Sequence, residues 1–198
     1  MSVLNVGVLA LQGAFREHTE AFESLGASVC LVKSPRDLAS VDAIVLPGGE
    51  STTQTKLLDS AELRHPLQAY LADGMACFAT CAGLILLARE VRNGRPDQVP
   101  LGALDIVVQR NGYGRQVDSF EADLDLTNLK HGSVGEDTFR GVFIRAPKIT
   151  AVGDADVLIM HDDSPVLVRH GAIWGTTFHP ELAHDLRIHR AFLQQCAA

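Results

Sequence analysis

The chain has 198 residues, 46% of them hydrophobic and 21% charged, with a formal net charge of −7. That length supports one substantial hydrophobic core and no shift in composition marks a second, so residues 1–198 are expected to fold as a single domain. An acidic chain without a lysine or arginine cluster argues against a nucleic-acid surface, and no stretch reaches the ~20 apolar residues that a membrane span requires.

Residues 3–11 (VLNVGVLAL) form a nearly continuous apolar run closed by Gln12-Gly13, the pattern of a strand covered on both faces. Residues 15–25 mix apolar and charged side chains as a surface helix does, and Gly26 stops it; 28–32 is the next strand. Residues 43–46 (AIVL) read as a short buried strand ended by Pro47-Gly48-Gly49, with Ser51 or Thr52 capping a helix that runs toward Leu58. A further helix is expected over about 61–72, a buried strand over 75–80 and a helix over 82–88, and 92–100 is the clearest loop. Strands then follow at 105–109, 119–126, 141–144, 156–160 and 165–169, the last turned by His170-Gly171 into 172–177, before a closing helix over 185–196. Alternating strands and helices imply a parallel sheet flanked by helices, and the strand-rich second half implies antiparallel additions to that sheet. Ligands on such sheets sit beyond the carboxyl ends of the strands, which singles out Gln12-Gly13, Gly48-Gly49-Glu50 and Cys81.

The four cysteines, Cys30, Cys77, Cys81 and Cys196, are scattered, and the N-terminus lacks a basic leader. Both features fit a cytoplasmic protein with free thiols. Cys81 stands where strand becomes helix. A side chain at such a bend projects above the sheet edge, and the unpaired N–H groups opening the helix favour thiolate over thiol. Small neighbours, Ala79, Ala82 and Gly83, leave the bend uncrowded as in a nucleophile elbow; a plain buried apolar cysteine is the alternative. A cysteine nucleophile needs a base. His179, in TTFHPE, directly follows a predicted strand, and Pro180 keeps a helix from starting on it. Glu181, two residues on, would project to the same side of an extended segment and fix the imidazole tautomer, leaving the other ring nitrogen to face the thiol. The backbone N–H of Ala82 and one from the Gly48-Gly49 turn are placed to receive charge developing on a carbonyl oxygen. Cys77 and Cys81 straddle the bend, His179, His184 and His189 share no helical face, and no G-x-G-x-x-G follows a strand, so neither metal nor cofactor is expected.

Six segments carry a family resemblance: GVLALQGAFREH (7–18), LPGGESTT (46–53), TCAGLILLA (80–88), QRNGYGRQVDSFE (109–121), FIRAP (143–147) and FHPEL (178–182). In this order they resemble the class I (triad-type) glutamine amidotransferases, and within them the PdxT family, the glutaminase subunits of pyridoxal 5'-phosphate synthase. Cysteine and HPE alone would indicate only an amidotransferase; QG-x-x-REH, GGEST and RN-x-[FY]-GRQ-x-x-SFE narrow it to the vitamin B6 branch. The resemblance implies a flavodoxin-like α/β fold in three layers, α/β/α, with a mostly parallel sheet. It implies that Cys81 attacks the side-chain amide of L-glutamine, that His179 carries the proton to departing ammonia and that Glu181 orients His179. Gly49 would supply an oxyanion donor, and Gly49, Glu50, Ser51, Arg110, Ile144 and Arg145 would hold glutamine. The implied partner is the (β/α)8-barrel synthase subunit in a large hetero-oligomeric complex, which joins ammonia to a pentose phosphate and a triose phosphate. The region from Gln12-Gly13 through Arg16, Glu17 and His18 is the expected docking surface. One departure is visible: Ala79 stands where the family usually carries glycine, a tolerated change unless that residue needs φ > 0. Three alternatives differ in class or pathway: a glutaminase feeding another synthase, a non-catalytic interaction protein that keeps the fold, and a cysteine hydrolase on a similar sheet. Thiol reactivity toward a glutamine-like electrophile separates the non-catalytic reading from the enzymes.

Overall fold

The computed structural model describes residues 4–113, 119–129 and 137–197. Val3 of the first predicted strand and residues 114–118 of the QRNGYGRQVDSFE motif lie outside the described residues. The first half runs β1 (Asn5–Leu9), α1 (Phe15–Ser24), β2 (Ser28–Val32), α2 (Pro35–Leu38), β3 (Ala43–Leu46), α3 (Ser51–Ser60), α4 (Arg64–Ala72), β4 (Ala76–Thr80) and α5 (Ala82–Leu87). The second half runs β5 (Ala88–Arg92), β6 (Leu104–Gln109), β7 (Ser119–Asp125), β8 (Thr138–Ile144), β9 (Lys148–Val152), β10 (Asp156–His161), β11 (Ser164–His170) and β12 (Ile173–Thr176). A 3-10 turn (Pro180–Leu182) and α6 (Arg187–Cys196) end it.

Seven strands form the central sheet in the order β10-β11-β12-β4-β3-β1-β2. β2, β1, β3, β4 and β12 pair in parallel, and β11 and β10 extend the β12 edge through antiparallel pairs. The parallel strands are short apolar runs because both of their faces are covered: every residue of β3 and β12 is buried. On one face, Leu58 of α3, Leu67 of α4 and Leu84 and Leu87 of α5 pack with Ile44, Leu46 and the β6 residues Leu104, Ile106 and Val108. On the other, Phe22 of α1 and Ile188 and Phe192 of α6 join Val6, Val45 and Phe78 with Leu124, Phe139 and Phe143 of the β7–β8 ribbon. The strand order reverses at β1, with β2 on one side and β3 and β4 on the other. The chain leaves β1 for α1 on one face and β3 for α3 on the other, so functional side chains gather at these carboxyl ends. Among the described residues no helix is long and apolar enough to cross a membrane.

Several sequence expectations need correction. Only β10 and β11 add antiparallel strands to the main sheet; β5-β6-β9 form a separate three-stranded sheet and β7-β8 a two-stranded one. β8 alternates in burial, with Phe139, Gly141 and Phe143 inside, so the ribbon lays one apolar face on the core instead of joining an edge. The helix after Cys81 ends at Leu87, and the unexpected β5 follows because Val91 pairs with Val108 and Arg92 with Gln109 in a parallel ladder. Strand β9 is likewise unexpected and pairs antiparallel with β6, Gln109 opposite Lys148. The cap of α3 is Glu50, not Ser51 or Thr52: its carboxylate accepts from the backbone N–H groups of Thr52 at 3.1 Å and Thr53 at 2.7 Å. Helix α4 starts at Arg64, not Ala61, since Glu62 takes φ 56°. Helix α6 starts at Arg187, whose N–H donates to the Asp185 side chain.

Candidate active site

Cys81 connects β4 to α5 with φ 48° and ψ −99°, a conformation that L-residues rarely adopt and that costs about 1–3 kcal/mol. Its surroundings over-determine that bend. The Cys81 N–H donates to Thr176 O of β12 at 2.9 Å, and the Ile85 N–H closes the first turn of α5 on Cys81 O at 3.2 Å. Gly83 permits the close crossing of α5 over β3, since a Cβ there would stand 2.0 Å from Leu46 O. Ala79, by contrast, sits inside β4 with its methyl fully buried and no positive φ, so the departure from glycine leaves the elbow undistorted. The Cys81 Sγ lies 3.9 Å from Ile144 O.

His179 follows β12, and its N–H donates to Val142 O of β8 at 2.8 Å, so the β7–β8 ribbon fixes its backbone. The ring rests on Gly48, where a Cβ would stand 2.3 Å from Cε1. Nδ1 lies 2.7 Å from Glu181 Oε1, and the ring and Cys81 line one cleft. The pairing expected from the sequence is present, but its geometry differs: Glu181 lies in the 3-10 turn, and the turn, not an extended segment, carries the carboxylate back beneath the imidazole. The Glu181 side chain is fully buried. Burial opposes charge on His179, but the neighbouring Cys81 and Glu181 outweigh it and raise the imidazole to about 10. Burial also pushes Glu181 up, yet His18 and His179 outweigh that and hold it below the usual carboxylate range. Both directions favour a charged imidazole between a carboxylate and the sulfur.

A cleft of about 290 Å³ opens beside these groups, lined by Gln12, Gly49, Glu50, Ser51, Cys81, Ala82, Ile85, Arg110, Asn111, Ile144, Arg145 and His179. The crevice thus gathers the loops after β1, β3, β4, β6, β8 and β12. Gly48 and Glu181 stand behind His179. At the rim, Arg110 Nη2 pairs with Glu50 Oε1 at 3.1 Å, while Arg110 Nη1 donates to Thr52 Oγ1 and Gln98 Oε1. Burial raises Glu50, but hydrogen bonds from Thr53 and Thr52 outweigh it and bring the carboxyl to about 2. Arg145 leaves β8 at φ 42°, a turn that brings it to the cleft wall.

Gln12 lines the cleft although the resemblance does not place it among the residues that hold glutamine. Its Oε1 accepts the Glu50 N–H at 3.0 Å, bridging the β1 and β3 loops; the strand end Gln12-Gly13 was the available signal. His18 overturns part of the docking expectation. With Ala21 and Phe22 it forms the buried stripe of α1, and none of its surface is exposed. Among the described residues no group of three or more His, Cys, Asp or Glu side chains is placed to hold a metal.

The chain matches the SNO glutamine amidotransferase family over residues 8–198. It is 52% identical over 194 residues to the pyridoxal 5'-phosphate synthase subunit PdxT of Deinococcus radiodurans, covering 96% of each chain. To that of Thermotoga neapolitana it is 46% identical over 192 residues, covering 96% of this chain and 98% of the relative. A crystal structure of a glutamine amidotransferase superposes with a TM-score of 0.88 at 45% identity, covering 98% of this chain and 99% of the other.

Proposed function

Because the chain belongs to the SNO glutamine amidotransferase family, we propose that Cys81, His179 and Glu181 hydrolyse L-glutamine to glutamate and ammonia within its single domain. The chain is a glutaminase, and its function is that of the PdxT subunit of pyridoxal 5'-phosphate synthase. The observation that carries the residue assignment is a strained cysteine that lines one cleft with a buried histidine, itself held at 2.7 Å by a buried carboxylate.

His179 takes the Cys81 proton, and the thiolate attacks the side-chain carbonyl carbon of glutamine. As the C–S bond forms, the carbonyl electron pair moves onto oxygen, where the N–H groups of Gly49 and Ala82 receive it. The imidazolium then gives its proton to the amide nitrogen, the C–N bond breaks, ammonia leaves and a thioester remains on Cys81. A water, deprotonated by His179, attacks that thioester; the C–O bond forms, the C–S bond breaks and the proton returns to sulfur. Glu181 keeps its negative charge throughout and orients the ring. Glu50 and Arg110 present opposite charges 3.1 Å apart at the rim, matched to the ammonium and carboxylate of an amino acid, with Arg145, Ser51 and Ile144 completing the wall. Ammonia passes to a (β/α)8-barrel synthase subunit in a larger hetero-oligomer.

The test is glutamate release from glutamine by the purified chain, alone and with a pyridoxal phosphate synthase subunit, beside Cys81→Ala. Stimulation by the partner that disappears in the variant is expected. Activity that ignores the partner would move the protein to another pathway, and release by Cys81→Ala would remove the nucleophile.

A further inference from the structure

Glu181 has two carboxylate oxygens, and only Oε1 faces His179. Oε2 is buried without a conventional hydrogen bond among the described residues, and the ring nitrogen Nε2 of His18 lies 3.4 Å from it. His18 Nε2 is also 3.1 Å from Thr80 Oγ1, the residue before Cys81, and His18 Nδ1 is 3.2 Å from His189 Nε2 on α6. A buried polar cluster thus runs from α6 through α1 to the back of the catalytic carboxylate.

The unpartnered Glu181 oxygen selects one direction for these bonds. With its proton on Nδ1, His18 would turn a lone pair toward the carboxylate, acceptor against acceptor. His189 would then have to accept on Nε2 and carry its proton on Nδ1, which is buried and has no partner. With the proton on Nε2, His18 offers Glu181 Oε2 the donor it lacks, shares it with the Thr80 hydroxyl and accepts the His189 N–H on Nδ1. His189 Nδ1 is then a bare lone pair, and a buried orphan acceptor is less rare than a buried orphan N–H. The 3.4 Å contact is long and poorly aligned, as catalytic hydrogen bonds often are before substrate binds.

We propose that His18 is a positioning residue for the triad: held by His189 as the Nε2–H tautomer, it donates to the second oxygen of Glu181 and fixes the carboxylate that orients His179. The inference rests on the reading of Cys81, His179 and Glu181 given above. Burial lowers His18, with Glu181, His179 and Glu17 the charged groups facing it. Burial lowers His189 to about 3, with His18, Glu181 and Asp185 around it. Burial thus disfavours the charged form of both rings, the condition a fixed chain of donors requires.

The experiment measures kcat and KM for glutamate release from about pH 3.5 to 9, reaching below the ordinary carboxylate value, in the assembled complex with the synthase subunit. It compares His18→Leu, His18→Asn and His18→Gln with the unaltered chain and Cys81→Ala. A glutamine side-chain amide reaches the Nε2 position and an asparagine amide only the Nδ1 position, so Gln alone restores a donor to Glu181. In His18→Leu and His18→Asn, kcat is expected to fall about ten- to a hundredfold, the factor for one lost charge-assisted hydrogen bond, with KM nearly unchanged. The acid limb of the pH profile moves to higher pH, because a carboxylate lacking a donor protonates sooner. His18→Gln returns the limb and most of the rate. A fall in kcat without movement of the limb, or His18→Gln behaving like His18→Asn, would overturn the proposal; if His18→Leu does not fold, the Gln and Asn pair decides alone. Glutamate release by Cys81→Ala would instead sink the triad reading, and the inference with it, whereas a Cys81-dependent enzyme indifferent to His18 sinks the inference only.

Discussion

Gly48→Ala perturbs the site through a single carbon atom. An added Cβ would stand 2.3 Å from His179 Cε1 and 2.8 Å from Nδ1, where ordinary contact begins at 3.4 Å, so the ring must retreat by about 1.1 Å. The backbone at Gly48 has no positive φ, so alanine brings contact without dihedral strain and its own N–H is kept. A retreat of that size stretches the 2.7 Å bond from His179 to Glu181 beyond hydrogen-bonding range and carries the ring away from or along the sulfur. Misplacement by about 1 Å costs on the order of a hundredfold in rate, and overpacking a buried contact costs about 1–3 kcal/mol. At about 2–4 °C per kcal/mol for a chain of this size, the melting temperature should fall by roughly 2–12 °C. Glutamate release with the synthase subunit present, together with calorimetric melting, measures both. A Gly48→Ala protein with kcat within twofold of the parent would refute the packing of His179 on Gly48.

Arg110→Met removes the cation at the cleft rim, and the glutamine KM should rise about tenfold or more while kcat changes little, as expected when a charge-assisted hydrogen bond to substrate is lost; a normal KM with a collapsed kcat would assign Arg110 another role. Glu50 is lowered from 4.5 to about 2 in the folded chain, so its stabilising contribution is complete above the higher value and is lost as pH falls through the lower one. The gap in melting temperature between the parent and Glu50→Gln should therefore be flat near neutrality and close on acidification below about pH 4.5, and a gap that widens in acid would contradict the capping role.

The parts of the site legible in the sequence are those written by neighbouring residues. A cysteine between an apolar strand and a small-residue helix start, and a histidine between a strand and Pro180, announce their places within about ten residues of chain. The strand assignments in the central sheet succeeded for the same reason, since AIVL cannot be anything but buried on both faces. Where distant pairing decides, the sequence was mute. Ala88–Arg92 holds good helix formers, yet the β6 ladder claims it as a strand. Glu50 looked like a ligand for an amino acid and is also the α3 cap, a role that depends on the exit angle of the β3 loop. His18 reads as one more polar residue on a surface helix; its partners Thr80 and His189 stand 62 and 171 residues away, and only the folded chain shows that it faces inward.

The central claim is that Cys81 forms a covalent bond to the side-chain carbon of glutamine. A glutamine-derived diazo ketone, which alkylates a thiolate seated in a glutamine site, tests it by intact-mass and peptide mass spectrometry in the complex with the synthase subunit. Cys30, Cys77 and Cys196 are free thiols too, and burial raises Cys77 well above the usual range and Cys196 to about 11, so they serve as internal controls. One adduct on the Cys81 peptide is expected, absent in Cys81→Ala and slowed in His179→Asn. An adduct on another cysteine, or an unlabelled protein that still releases glutamate, would contradict the claim.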